Sequence, residues 1–168
     1  MLLSDKYPFL TNYFEKGIQN KLNNKGVPIT HSLLFSGRDL ESQYILAKEI
    51  ARKLNCTGDH TDDCQCLNCR WIRENSHPAV LTITKTDNKP ADDETKTVIS
   101  IKQSEMIKNM LMTTSEFYRV FIFCDKDDGG NIRGLTPQNF QEETANSMLK
   151  IIERSEEHTS ELQSLAYL

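Results

Sequence analysis

The sequence predicts an α/β domain built on a parallel sheet, because short apolar runs alternate with longer stretches of helical period. Two runs carry most of that reading. His31–Phe35 (HSLLF) leads through Ser36-Gly37 into a helix-patterned segment, and Val120–Cys124 (VFIFC) is apolar throughout, as a strand covered on both faces has to be.

Taken in order, Lys6–Gln19 holds Phe9, Leu10, Tyr13, Phe14 and Ile18 in one stripe and is predicted as an amphipathic helix. Asn23–Thr30, with Gly26 and Pro28, ends it. After the first strand and its turn, Gln43–Leu54 sets Ile45, Leu46, Ile50 and Leu54 on one helical face, completing a strand, loop and helix unit. A cysteine-rich run interrupts the pattern. Ala79–Ile83 (AVLTI) then reads as a second strand and Lys85–Lys96 as a polar, mobile loop. Ile101–Met112 keeps the helical period through Ile101, Met106, Ile107, Met110 and Leu111, and Val120–Cys124 is the third strand, with Asp125 at its end. Asp127–Gly134 (DDGGNIRG) reads as a loop longer than the fold requires. Thr144–Glu153 is predicted as a helix with Ala145, Met148, Leu149 and Ile152 in register. Ligands of open parallel sheets gather at the carboxyl ends of strands, where Gly37 and Asp125 stand.

With 168 residues, 38% apolar and 26% charged, the composition suits a soluble globular domain and names no function. No apolar run approaches the roughly 18 residues of a membrane span, and MLLSDKYPFL lacks the basic end and apolar stretch of a signal peptide, so a cytoplasmic location is expected. The formal charge is −4; one Arg against Glu156, Glu157 and Glu161 in the last segment accounts for −2, leaving −2 for residues 1–153. Such a balance predicts no dominant basic patch, so contact with DNA is expected through an assembly whose other members meet the phosphates.

From Arg154 the character of the chain changes. Arg154–Ser164 (RSEEHTSELQS) matches the in-frame translation of a common sequencing-adapter read. The expectation is therefore a partial domain over residues 1–153, truncated after Glu153, with a non-native tail over 154–168 that stays out of the fold. His158 receives no role. A parallel sheet missing its later strands leaves an open edge, so poor solubility is expected.

Five cysteines are an odd number for a disulfide framework, and Cys56, Cys64, Cys66 and Cys69 fall close together. Four thiolates arranged tetrahedrally satisfy zinc, and a closed set of four leaves no open position for catalysis, so a structural ion is expected. Reduced free thiols or a redox pair are the alternative. Cys124, inside the third strand, is expected to be a small core residue. His31 and His77, beside strand starts, are read as structural, and Trp71 as packing the cysteine module onto the domain.

Four segments in register, His31-Ser32-Leu33-Leu34-Phe35-Ser36-Gly37, the cluster after Leu54-Asn55-Cys56, His77-Pro78-Ala79-Val80 and Ala145–Glu153 (ANSMLKIIE), resemble the bacterial clamp-loader gamma and delta-prime family. That family typically reads HAYLFSG, LNC with further cysteines, HPDV and ANALLKTLEEP. The resemblance implies a P-loop NTPase-like (AAA+) parallel sheet with flanking helices and an inserted zinc module at about residues 56–69, incomplete here. Where the family usually spaces its cysteines by two, Cys64-Gln65-Cys66 has one residue between, which brings His60 into consideration as a spare ligand.

The family's nucleotide loop falls on Gly37-Arg38-Asp39-Leu40-Glu41-Ser42-Gln43-Tyr44. A working loop needs glycines whose backbone wraps the phosphates, a Lys against their charge and a hydroxyl for magnesium. Only Gly37 remains. Gln43 stands for the Lys and Tyr44 for the hydroxyl, and Glu41 adds a negative charge, worth about 4 kcal/mol against a like charge near 4 Å at an effective dielectric of about 20. Asp125 matches the metal-supporting acid, and Lys126 replaces the water-polarising Glu. The resemblance thus implies a degenerate nucleotide site without ATP binding or hydrolysis. Read locally, residues 37–44 are also an ordinary loop opening a helix.

Loss of the loop with retention of the cysteines resembles the delta-prime type. The resemblance then implies a non-enzymatic subunit of the DNA polymerase III holoenzyme, joined with gamma/tau and delta in a heteropentamer that loads the sliding clamp onto primer-template DNA. Its Ser-Arg-Cys finger motif is expected beyond Glu153. An ATP-hydrolysing gamma/tau-type subunit and a zinc-knuckle nucleic-acid binder are the alternatives.

Overall fold

Val120 and Ile122 point one way from a central strand and Phe121 and Phe123 the other, and both sets are fully buried. That period of two organises the whole domain. The structure is a computed structural model that describes residues 3–157 and 163–167; His158 lies outside them.

The order is α1 (Leu3–Lys6), α2 (Pro8–Asn23), β1 (Ser32–Leu34), α3 (Leu40–Asn55), α4 (Leu67–Arg73), β2 (Val80–Ile83), α5 (Ile101–Met112), β3 (Arg119–Phe123), β4 (Asp125–Lys126), β5 (Ile132–Arg133), α6 (Glu142–Glu157) and β6 (Gln163–Tyr167). Four strands form a parallel sheet in the order β1-β6-β3-β2, and β4 and β5 make a small antiparallel hairpin. Helices cover both faces, as the sequence predicts. Phe14 and Ile18 of α2 and Leu46, Ile50 and Leu54 of α3 pack with Val120, Ile122 and Cys124 on one face. Ile107 of α5 and Met148 and Ile151 of α6 pack with Ile83, Phe121 and Phe123 on the other. Each large apolar side chain covered in this way contributes about 1.5–3 kcal/mol.

Several expectations are corrected. The backbone of Gln163–Tyr167, within the segment whose sequence matches an adapter read, pairs with both β1 and β3. Strands two positions apart in a sheet leave facing rows of N–H and C=O groups that need an intervening partner, and this segment supplies it. The open edges among the described residues are then β1 and β2.

Asp127–Gly134 is the turn and second strand of the β4–β5 hairpin, its tip organised by the Asp127 carboxylate, which accepts from Gly129 N, Asn131 N and Arg133 Nη2. The Lys85–Lys96 loop is tied down by hydrogen bonds. Gln103 of α5 is buried and donates to Thr84 O and Asp87 O, and Asp93 accepts from Ser100 and from Thr95 N. On α6 the buried face is Thr144, Met148 and Ile151, while Ala145 and Leu149 are exposed. On α3 Ile45 is likewise exposed, and Ala47 and Ala51 take the core positions beside Leu46 and Ile50. A stripe of mixed i+3 and i+4 spacing fits two neighbouring helical faces equally well, and packing selects one.

Among the described residues, no helix is long and apolar enough to cross a membrane.

Candidate functional site

The four cysteines converge. Their Sγ atoms all lie within 4.8 Å of one another, with Cys56 and Cys64 3.6 Å apart and Cys56 and Cys66 4.0 Å apart. None is in a disulfide. A tetrahedral ion with metal–sulfur bonds near 2.3 Å needs sulfurs roughly 3.8 Å apart, so the spacing fits zinc.

Local structure explains how a short run reaches that geometry. Cys56 caps the end of α3, where the chain turns extended. Asp59 then folds an Asx turn by accepting from Thr61 N and Thr61 Oγ1, and His60 takes a left-handed conformation with φ 61°. Cys66 sits at the N-cap of α4 and Cys69 one turn inside it, so both face the same side. The single residue between Cys64 and Cys66 is accommodated because Cys66 precedes the helix and Cys64 arrives from the knuckle loop. His60 is exposed and stands outside the cluster; the four cysteines are the complete ligand set among the described residues.

Two further features fit a bound ion. A Cβ on Gly58 would lie 2.6 Å from Cys64 Sγ, so the loop passes the sulfurs too closely for any side chain there. Burial raises the Cys66 thiol, but backbone N–H groups of Cys69 and Thr57 outweigh it and lower the thiol to about 5, which favours the thiolate a metal requires. Burial pushes the Cys69 thiol up to about 12.

The module is fastened to the domain by polar contacts that the sequence reading missed. Asn55, buried at the end of α3, donates to Tyr118 O at 2.9 Å and accepts from Tyr118 N at 2.8 Å, while its own carbonyl accepts from Asn68 of α4. Arg73 reaches back to Cys64 O and Asp62 O. Arg52 is fully buried and donates to Cys69 Sγ and to Thr61 O. A charged residue one turn before the first cysteine was the available signal, but its direction depends on the module's fold. Trp71 meets the ring of His77 edge-on at 6.2 Å, and His77 meets Phe117 at 4.9 Å, so Trp71 and His77 are packing residues as expected. Cys124 is a fully buried core residue with its thiol pushed up to about 12 by burial.

The second candidate site is the loop before α3. Gly37 keeps a conformation suited to glycine, with φ +135°, and the Gln43 amide folds over it, 3.1 Å from where a Cβ would stand. Gln43 Oε1 is buried without a hydrogen-bond partner. The first turn of α3, where helix N–H groups would meet an anion, already holds one. Asp39 is its N-cap and accepts from Ser42 N at 3.3 Å, from Tyr7 Oη at 2.6 Å and from the Lys6 ammonium. Lys6, then Tyr7 and Ser42, hold this carboxyl well below the usual carboxylate range. Glu41 is exposed. Asp39 is thus the carboxylate that caps this helix end, with exposed Glu41 a second negative charge in the same first turn.

The other two predicted residues go elsewhere. Tyr44 bonds to Thr82 Oγ1 at 2.9 Å, with Lys48 above its ring. Asp125 lies 3.4 Å from Lys85 Nζ, and Lys126 is held by Asp87 at 2.6 Å. The structure therefore brings Gly37 and Gln43 together and gives Tyr44 and Asp125 separate partners.

The model of the family described as "DNA polymerase III, delta subunit" matches residues 11–162 of this chain, a span that holds the cysteine module, the Gly37 loop and β3. No curated protein matches it.

Proposed function

The chain belongs to the DNA polymerase III delta-subunit family, and from that premise we propose that it is a non-enzymatic, delta-prime-type subunit of the clamp loader. Membership gives the replication role and the association with other clamp-loader subunits. The finer assignment rests chiefly on one observation: the helix end that would cradle a nucleotide's phosphates is occupied by the chain's own Asp39, with Lys6 and Tyr7 closing over it.

Three further features agree with this reading. Gln43 brings no positive charge to the loop, Tyr44 is engaged with Thr82, and Lys126 forms an ion pair with Asp87 instead of activating water. A site of this kind acts through protein contacts. In the proposed assembly the chain joins gamma/tau-type and delta-type subunits in a heteropentamer of the cytoplasm, and their ATP drives the clamp onto primer-template DNA.

Cys56, Cys64, Cys66 and Cys69 hold a structural zinc in this reading. Bound there, the ion cross-links the end of α3 to α4 and gives the knuckle loop the stability that its few apolar residues cannot.

The test is reconstitution. The protein, mixed with gamma/tau-type and delta-type subunits from the same source, is expected to co-elute as one complex that loads a clamp on primed DNA. Loading should persist when Asp125 and Gln43 are replaced by Ala. A complex that forms equally well without this chain, or loading abolished by those replacements, overturns the proposal.

A further inference from the structure

A guanidinium group buried without solvent contact needs charged partners, because an uncompensated buried charge costs several kcal/mol. Arg52 is 0% exposed, yet it lies on α3 beside a cluster of thiols. Its Nε and Nη2 both bond to the Glu49 carboxylate, at 2.9 Å and 2.7 Å. This two-pronged grip fixes the plane of the guanidinium. The remaining nitrogen, Nη1, is thereby aimed into the module, where it donates to Thr61 O at 2.9 Å and to Cys69 Sγ at 3.6 Å.

The arrangement has a charge logic. Four thiolates around a divalent cation carry a net charge of −2, and Cys69 is the most deeply buried of the four. At the rim, exposed Asp62 accepts from Lys53 at 3.4 Å and from Arg52 Nη2 at 3.5 Å. Arg52 is the one cation whose hydrogen bond reaches a ligand sulfur among the described residues.

We propose that Arg52, oriented by Glu49, is a positioning residue of the metal centre: it donates to the Cys69 sulfur, offsets the charge of the tetrathiolate and thereby couples metal binding to α3. This inference rests on the metal reading of the four cysteines. It makes α3, capped by Asp39 at one end and Cys56 at the other, a continuous link between the metal module and the Gly37 loop.

The test compares the full chain with Arg52→Met, Arg52→Lys, Glu49→Gln and Arg70→Met, the last removing an exposed charge from α4 that touches no sulfur. Zinc affinity is read by competition with a chromogenic chelator, and each protein is also loaded with cobalt for its sulfur-to-metal charge-transfer band. Removing a partner of a ligand atom typically costs 10–100-fold in affinity. Arg52→Met is expected to lose that much and to move the cobalt band to lower energy, because a sulfur without its hydrogen bond is more easily oxidised. Arg52→Lys should recover part of both, Glu49→Gln should lose less than Arg52→Met, and Arg70→Met should match the parent. If Arg52→Met does not fold, Glu49→Gln, which retains the side-chain volume, carries the comparison alone. Parent-like affinity and spectrum in Arg52→Met, or an equal loss in Arg70→Met, overturns the role of Arg52 and leaves the metal reading intact. A parent chain that binds neither zinc nor cobalt overturns both.

Discussion

Tyr7 donates its phenol hydrogen to the Asp39 carboxylate at 2.6 Å, and through that bond the start of the chain is tied to the first turn of α3. Asp39→Ala removes the helix cap together with the contacts of Lys6 and Tyr7. Loss of a helix cap is destabilising, and loss of the exposed ion pair adds little to it. A correspondingly lower urea midpoint is expected, with the gap narrowing at about 1 M salt, where such pairs are screened. An unchanged midpoint would show that the latch contributes nothing.

Asp93 gives the chain an acid-sensitive loop. Burial alone would raise its carboxyl, but the Ser100 hydroxyl, Thr95 N and Lys89 outweigh it and bring it to about 2, below the ordinary 3.8. A depressed folded-state value stabilises the protein at every pH above the unfolded value, and the contribution disappears as pH falls from about 4 towards about 2. The melting temperature should drop across that window in the parent. Asp93→Asn should start lower at neutral pH and change less on acidification.

Gly58→Ala places a Cβ 2.6 Å from Cys64 Sγ. The expected outcome is a weaker metal site, seen as faster zinc release to a chelator, with little change in the sheet as judged by circular dichroism. Parent-like release would mean that the loop can shift at no cost.

Asn55→Ala strands the N–H and C=O of Tyr118, both satisfied by the Asn55 side chain. A fully buried group left without a partner costs about 1–3 kcal/mol, and for these two part-buried groups together a total of about that size is expected. A loss of stability in that range should appear in chemical unfolding, whereas an Ala at exposed Glu105 should leave the midpoint where it is.

Much of the fold was legible in the sequence because the strand period was clean, whereas the helical stripes were only partly so: Phe9, Leu10 and Tyr13 of α2 and Ile45 of α3 are exposed. VFIFC announced a strand buried on both faces, and α3 and α5 showed their helical stripes. The cysteine cluster was legible because four thiols so close together leave few other uses. What escaped was the part that depends on direction. Asp39, Arg52, Asn55 and Gln103 are ordinary polar residues in a one-dimensional pattern, and only the folded chain shows where their side chains end. Gln103 had a readable signal, since Ser100 and Gln103 form a capping box. Asp39 had one too, as an Asp just ahead of a helical stripe. The pairing of Gln163–Tyr167 between β1 and β3 was not legible, because the adapter match over Arg154–Ser164 set that segment aside.

We propose that the Gly37 loop is closed to nucleotide by the chain's own side chains. Titration of magnesium-ATP into the protein by calorimetry, with zinc content determined on the same sample, tests this. No heat of binding and one zinc per chain are expected. Micromolar magnesium-ATP binding would contradict it and would favour an ATP-hydrolysing, gamma/tau-type subunit.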